Sequence, residues 1–355
     1  MKENVIFVNS LFNIITAVQL RTRVLKEQNC DVVLSSLSPG LEEVYRRGVL
    51  KRIFDDVYFS DYRKLSRLDR LNSINSPKKV VRKLLGRDLP EYSDIFFWNP
   101  TTLLHQYLRQ YPGVRKHVYG DALGSYVIDH PYEESSAPRG FVGRMIAALS
   151  RYQPIAELDY DYYVFRPEFV SCETSRKLVA IPGIDRNDQE AVAMYLDIFN
   201  LRDVPHIQEK YIFMDVKHGD QFPSEAEGLK NLQAVRALLS ADDLIVKPHP
   251  RQNQDVYREN GIRIFDCGIP WEAYFFKADG EEMARKTIIA YHTSSLFMPY
   301  LLFDINYRSV YIDLPTTFST LFHREYSLFI DKMIRAGYDI RVIQSISDLN
   351  ETILQ

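Results

Sequence analysis

Val5-Ile-Phe-Val8 is a run of four apolar residues with no polar alternation, and runs like it recur at short intervals along the chain. A strand with one wet face alternates, whereas a continuous run is buried on both faces, as in a parallel sheet covered by helices. An Asn-Ser loop follows, then a helical pattern through Arg21 to Lys26, then a second run at Asp31-Val-Val-Leu34. Strand, helix and strand at this spacing open a doubly wound α/β sheet. Val57-Tyr-Phe59, Asp94-Ile-Phe-Phe97 and His117-Val-Tyr119 extend it. The pattern restarts at Tyr211-Ile-Phe-Met214, followed by a helical stretch from Ala226 to Leu239. Further strands are expected at Leu244-Ile-Val246, Ile262-Arg-Ile-Phe265, Thr287-Ile-Ile-Ala290 and Val310-Tyr-Ile312.

At 355 residues the chain exceeds what one hydrophobic core usually organises. Two tandem α/β domains are therefore expected, one over residues 1–185 and one over 206–355. A linker and hinge over 186–205 joins them, with Val179 to Asp185 and the amphipathic segment Asn187 to Asn200 supplying the connection.

With 46% hydrophobic and 26% charged residues the chain reads as soluble and globular, and a net charge of −3 gives no reason to expect nucleic acid as a partner. Cys30, Cys172 and Cys267 are widely spaced, without metal-ligand or redox pairing, which suits a reducing cytoplasm. The N-terminal apolar run is broken by Asn9, Ser10 and Asn13, too polar for a signal-peptide core, and no stretch is long enough to span a bilayer. Between Arg63 and Arg87, nine basic residues face only Asp69. This is either a solvated helix face or a basic amphipathic element against an anionic membrane, with Val80, Val81, Leu84 and Leu85 as its apolar side.

In open α/β sheets ligands gather beyond the carboxyl ends of the strands. Lys247-Pro248-His249-Pro250-Arg251 sits at such an end, its prolines stiffening the turn that carries the imidazole. His249 suits work on a phosphate leaving group, with Lys247 and Arg251 adding positive potential; plain loop chemistry is the alternative. Thr293, Ser294 and Ser295 follow another strand, where they either cap a helix or bind phosphate. Glu272, in Ile269-Pro270-Trp-Glu272, can bridge ribose hydroxyls or merely lie on the surface. In the first domain Asp121 lies between Gly120 and Gly124, ahead of Ser125, where it serves either an Asx-turn or a substrate. There is no Walker loop, no GxGxxG and no metal-spaced cluster.

YGDALGSY (Tyr119–Tyr126), KPHPR (Lys247–Arg251), IPWE (Ile269–Glu272) and HTSS (His292–Ser295) occur in this order. Together they resemble the bacterial sialyltransferases, most nearly glycosyltransferase family 52, with a relation to the polysialyltransferase-like group. The first motif departs from the pattern, since Gly120 stands for an acid and Ala122 for a glycine.

The resemblance implies a GT-B fold of two Rossmann-like domains facing across a cleft, with the CMP-sugar donor on the second. It implies inverting transfer of sialic acid from CMP-sialic acid to a terminal sugar hydroxyl of a bacterial surface glycan, galactose being the expected acceptor. No metal and no cofactor beyond the donor is implied. His249 would then act on the departing phosphate, with Ser294 and Ser295 holding it and Glu272 on the ribose. Gly120, Gly124 and Ser125 would lie on the acceptor side. Asp121 is the expected base, and Asp215 and Asp220 are its competitors. Family members also form dimers, and a place on the inner face of the cell membrane fits such an activity. Three rivals share the scaffold: a transferase using another nucleotide sugar, a non-catalytic nucleotide- or glycan-binding protein, and a nucleotide-sugar epimerase.

Overall fold

Val5, Ile6, Phe7 and Val8 are at most 2% exposed, as expected of a strand covered on both faces. They form the centre of a parallel sheet. The computed structural model describes residues 1–66, 76–128 and 158–354. Its first sheet contains β1 (Lys2–Val8), β2 (Cys30–Ser35), β3 (Val57–Ser60), β4 (Tyr92–Phe97), β5 (Arg115–Tyr119), β6 (Asp161–Phe165) and β7 (Leu178–Ile181). They run in the order β3-β2-β1-β4-β5-β6-β7, every neighbouring pair parallel. Ile6 pairs with Val32 of β2 on one side and with Phe96 of β4 on the other, so the strand order reverses at β1.

The second sheet contains β8 (Tyr211–Met214), β9 (Leu244–Lys247), β10 (Thr287–Ala290), β11 (Arg308–Ile312) and β12 (Ile340–Ile343), ordered β12-β11-β10-β8-β9 and again parallel. The strand expected over Ile262 to Phe265 is reduced to one bridge, Val246 with Ile264. Two backbone bonds hold it: the Val246 amide donates to Arg263 at 3.0 Å and the Phe265 amide to Val246 at 2.8 Å. Counted with this bridge, the unit has the doubly wound order 3-2-1-4-5-6. Phe213, Val246, Ile289 and Val310 pack with Leu232 and Val235 of the helix Glu225–Leu238 to form its core.

The chain divides into two compact units. One holds residues 1–167, 173–183 and 197–199, and the other holds 168–172, 184–196 and 200–355. The segment expected as a linker from Val179 begins instead as β7 of the first sheet.

The basic stretch had two readings, a solvated helix face and an element against an anionic membrane, and the second made Val80, Val81, Leu84 and Leu85 its apolar side. In the helix Pro77–Leu85, Val80, Val81 and Leu84 are buried, packed toward the helix Thr102–Gln110 and β3. The apolar face is thus spent inside the unit, while Lys78, Lys79, Arg82 and Lys83 stay exposed. Arg82 pairs with Asp88, Arg63 with Asp61 and Glu42, and the Arg87 guanidinium lies 3.8 Å from the centre of the Tyr58 ring. Arg67, Asp69 and Arg70 lie outside the described residues. Among the described residues no helix is long and apolar enough to cross a membrane.

Candidate active site

Four loops leave the carboxyl edge of the second sheet, after β8, β9, the Ile264 bridge and β10, and they carry nearly every second-unit residue singled out in the sequence. Pro248 is buried and His249 partly exposed at the end of β9. The Arg251 amide donates to Nδ1 of His249 at 3.1 Å, and the Gln252 amide closes the turn on the His249 carbonyl at 2.9 Å. With Nδ1 accepting, the ring proton is left on Nε2. Burial foremost, then Arg251, pushes the imidazole pKa down to about 4. His249 is therefore neutral at neutral pH and offers one N–H.

Lys247 is likewise held below its ordinary value, by burial first, with Cys267, Glu272 and Asp266 opposing the shift. Arg251 is exposed and paired at 3.1 Å with Asp220, itself exposed and 3.7 Å from the Lys217 ammonium. Pro270 precedes the short helix Trp271–Tyr274, in which Glu272 is 5% exposed. Of the two alternatives for Glu272, a plain surface position does not hold, since the residue is buried.

After β10, Thr293 caps a single 3-10 turn, its hydroxyl accepting from the Ser295 amide at 3.4 Å. The helix that follows, Met298–Phe303, starts only after this turn, so Ser294 and Ser295 are not its caps. Both are partly exposed, and among the described residues neither hydroxyl bonds a protein group. His292 of the same motif is turned inward against Tyr311, its pKa pushed down to about 4, chiefly by burial.

Asp215 follows β8 but faces inward, its side chain 0% exposed. Oδ2 accepts from His218 Nε2 at 2.9 Å and from the Tyr257 hydroxyl at 2.8 Å, and Oδ1 accepts from the Val216 amide at 2.8 Å. Although burial opposes it, Asp215 raises the pKa of His218. Sequence reasoning missed this buried pair. The three-residue spacing of Asp215 and His218 after a strand was its only signal.

In the first unit, β5 delivers Asp121 to the carboxyl edge of its own sheet, where it is partly exposed. Its backbone amide donates to the Ser125 hydroxyl at 3.0 Å. Ser125 is 0% exposed, so it fixes the loop from inside. A Cβ on Gly120 would stand 3.1 Å from Cβ of Ser125, so a larger residue there would crowd the turn. Gly124 opens the turn Gly124–Val127 without such crowding. Burial raises the Asp121 carboxyl to about 6 against the bonds it accepts from Asn13 and Ser10. Those two residues, at the N-cap and in the first turn of the helix Leu11–Gln19, were not anticipated as partners of the acid.

A cavity of about 410 Å³ lies at the opposite, amino edge of the second sheet, lined by Lys210, Arg285, Lys286 and Arg308 among others. Its cations are already occupied: Lys286 donates to the carbonyls of Ile207 and Glu209, Arg285 to that of Glu281, and Arg308 lies 3.5 Å from Asp339. They neutralise strand and helix ends there.

Two parallel, doubly wound units in one chain make the fold GT-B. No protein-family model matches the chain, and no curated protein matches it in sequence. Among solved structures it is similar to UGT89C1 of Arabidopsis thaliana complexed with UDP, at 13% identity over 100% of this chain and 89% of that one, with a TM-score of 0.50. An α/β-galactoside α-2,3-sialyltransferase of the luminous marine bacterium Photobacterium phosphoreum matches at 14% identity over 98% of this chain and 100% of its own, with a TM-score of 0.49. UDP-GlcNAc 2-epimerase of Neisseria meningitidis, bound to UDP-GlcNAc, matches at 12% identity over 99% and 98%, with a TM-score of 0.47. Likenesses at such identities bear on the fold alone.

Proposed function

We propose that the protein is an inverting sialyltransferase, moving sialic acid from CMP-sialic acid to a sugar hydroxyl, with galactose as the expected acceptor, on a bacterial surface glycan. The observation that carries this reading is His249, whose Nδ1 accepts from the Arg251 amide and so leaves Nε2–H as its donor, on the same sheet edge as the unengaged hydroxyls of Ser294 and Ser295. Such a donor set suits one phosphate group: the bond from the anomeric carbon to the phosphate oxygen breaks and CMP departs with that phosphate, Lys247 offsetting its charge while the hydroxyls and the imidazole N–H donate to it, without a metal.

A pKa near 4 decides how His249 works. The free enzyme at neutral pH carries no proton on Nδ1 to deliver, so Nε2 stabilises the departing phosphate by a hydrogen bond that strengthens as charge develops. Buried Glu272 lies beside the same loop, where a carboxylate can accept from the two ribose hydroxyls. In the first unit Asp121, tuned near 6, is ionised at neutral pH and takes the acceptor's proton as the sugar is attacked. Asp215 is buried and already accepts three hydrogen bonds, and Asp220 pairs with Arg251, which favours Asp121 over these two competitors as the base. A peripheral cytoplasmic location, contact of the exposed basic face with anionic lipid, and a homodimer belong to the same proposal.

A panel of CMP, CMP-sialic acid, UDP and GDP tests the donor. CMP at about 100 times its dissociation constant should stabilise the fold by about 2.7 kcal/mol, with no shift from UDP or GDP. Equal shifts with UDP would assign the site to another nucleotide sugar.

A further inference from the structure

We propose that Asn13, with Ser10 beside it, positions the Asp121 carboxylate, clamping Oδ1 so that Oδ2 is the oxygen presented to substrate. This rests on reading Asp121 as the base. Ser10 is the N-cap of the helix Leu11–Gln19, and its hydroxyl accepts from the Asn13 amide at 3.1 Å. In return, Oδ1 of Asn13 accepts from the backbone amides of Ser10 at 3.1 Å and Asn9 at 3.2 Å. This capping box fixes which way the Asn13 amide faces: with its oxygen turned to the backbone, its Nδ2 can only point outward, where it donates to Oδ1 of Asp121. Ser10 donates to the same oxygen at 3.3 Å. Among the described residues Oδ2 of Asp121 has no partner. Asn13 is 0% exposed, so the amide cannot swing to solvent.

One side chain therefore serves two elements. It closes the N-terminal cap of the helix Leu11–Gln19 and aims an acid that lies 108 residues further along the chain. An aspartate at 13 would preserve the cap, since its carboxylate accepts equally well from the two amides, but would set a negative oxygen against Oδ1. The groups facing Asp121 are Ser10 and Asn13 from the β1 side, the Tyr119 phenol on its own strand and the Ser125 hydroxyl from the following turn. Tyr119 is held neutral by burial first and by Asp121 second.

The experiment compares the full-length protein with Asn13→Asp, Asn13→Ala and Ser10→Ala, following the Asp121 carboxyl by ¹³C NMR with Asp121→Asn as the assignment control. The same enzymes are assayed for transfer from CMP-sialic acid across pH. Removing the Asn13 donor should raise the Asp121 titration by about one unit, and the acid limb of kcat/KM should move with it, leaving activity about fivefold below the parent at pH 6 and recovered at pH 8. Asn13→Asp should move both further while keeping the fold. An unmoved carboxyl titration, or activity lowered equally at every pH, overturns the clamp. If the carboxyl moves as expected but Asp121→Asn transfers normally, the clamp stands and the base assignment fails.

Discussion

At the scale of single residues, the two proposed catalytic groups have been pushed in opposite directions by the same cause. Burial raises Asp121 to about 6 and lowers His249 to about 4, so in each case the fold favours the uncharged form. For Asp121 the sign is clear. The folded pKa lies above that of a free carboxyl, so the stability this gives is complete below the unfolded pKa and is lost as pH rises through about 6. At neutral pH the ionised acid is a strain on the fold. Asp121→Asn should therefore melt at a higher temperature than the parent at pH 7.5 and show no such gain at pH 4. In the same variant CMP binding should persist while transfer falls by about 10²-fold or more. Calorimetry at the two pH values with a transfer assay checks this, and equal melting at pH 7.5 would show that Asp121 is not destabilised by burial.

At the scale of elements, the strands legible in the sequence are those whose side chains are covered on both faces. β1, β2, β8 and β10 read directly because their cores are unbroken apolar runs. β6 and β12 did not. β6 is Asp161-Tyr-Tyr-Val-Phe165, with two residues only partly buried, and β12 contains Arg341 and a 40% exposed Val342 at the sheet edge. The unbroken apolar run disappears where a strand has a wet side. The site was legible to a similar depth: the His-Pro loop and the serine pair follow strands and were visible, whereas Asn13 could not be paired with Asp121 because only the fold joins them. Helix Glu225–Leu238 gives a further test. Gly→Ala inside a helix ordinarily stabilises by about 0.5–1 kcal/mol, but a Cβ at Gly228 would lie 2.3 Å from Cγ of the buried His218. Gly228→Ala should thus destabilise by about 1–3 kcal/mol in urea unfolding. A stabilised variant would show that His218 does not pack there.

At the scale of the whole molecule, the division at residue 185 expected from the sequence follows strand density along the chain, whereas the units are interleaved in it. The last residues of the first unit, 197–199, come after the second unit has already taken up 168–172 and 184–196. Arg47 in the first unit donates to the carbonyls of Asp197 and Ile198, so the late piece is tied to the early one. Fragments 1–185 and 186–355 expressed apart should each lack part of a unit. Neither should show a cooperative transition alone, and mixing them should restore it if the pieces recombine. A cooperative melt from 1–185 alone would mean that the late residues contribute little.

For a ribosome this interleaving is a matter of timing. A nascent chain cannot finish its amino-terminal half when that half leaves the exit tunnel. It must wait until residue 199 has emerged, with the opening residues of the other half already threaded between. Until then the edge strand β7 and the basic helix before β4 belong to an unfinished sheet, open to chaperones and to neighbouring chains.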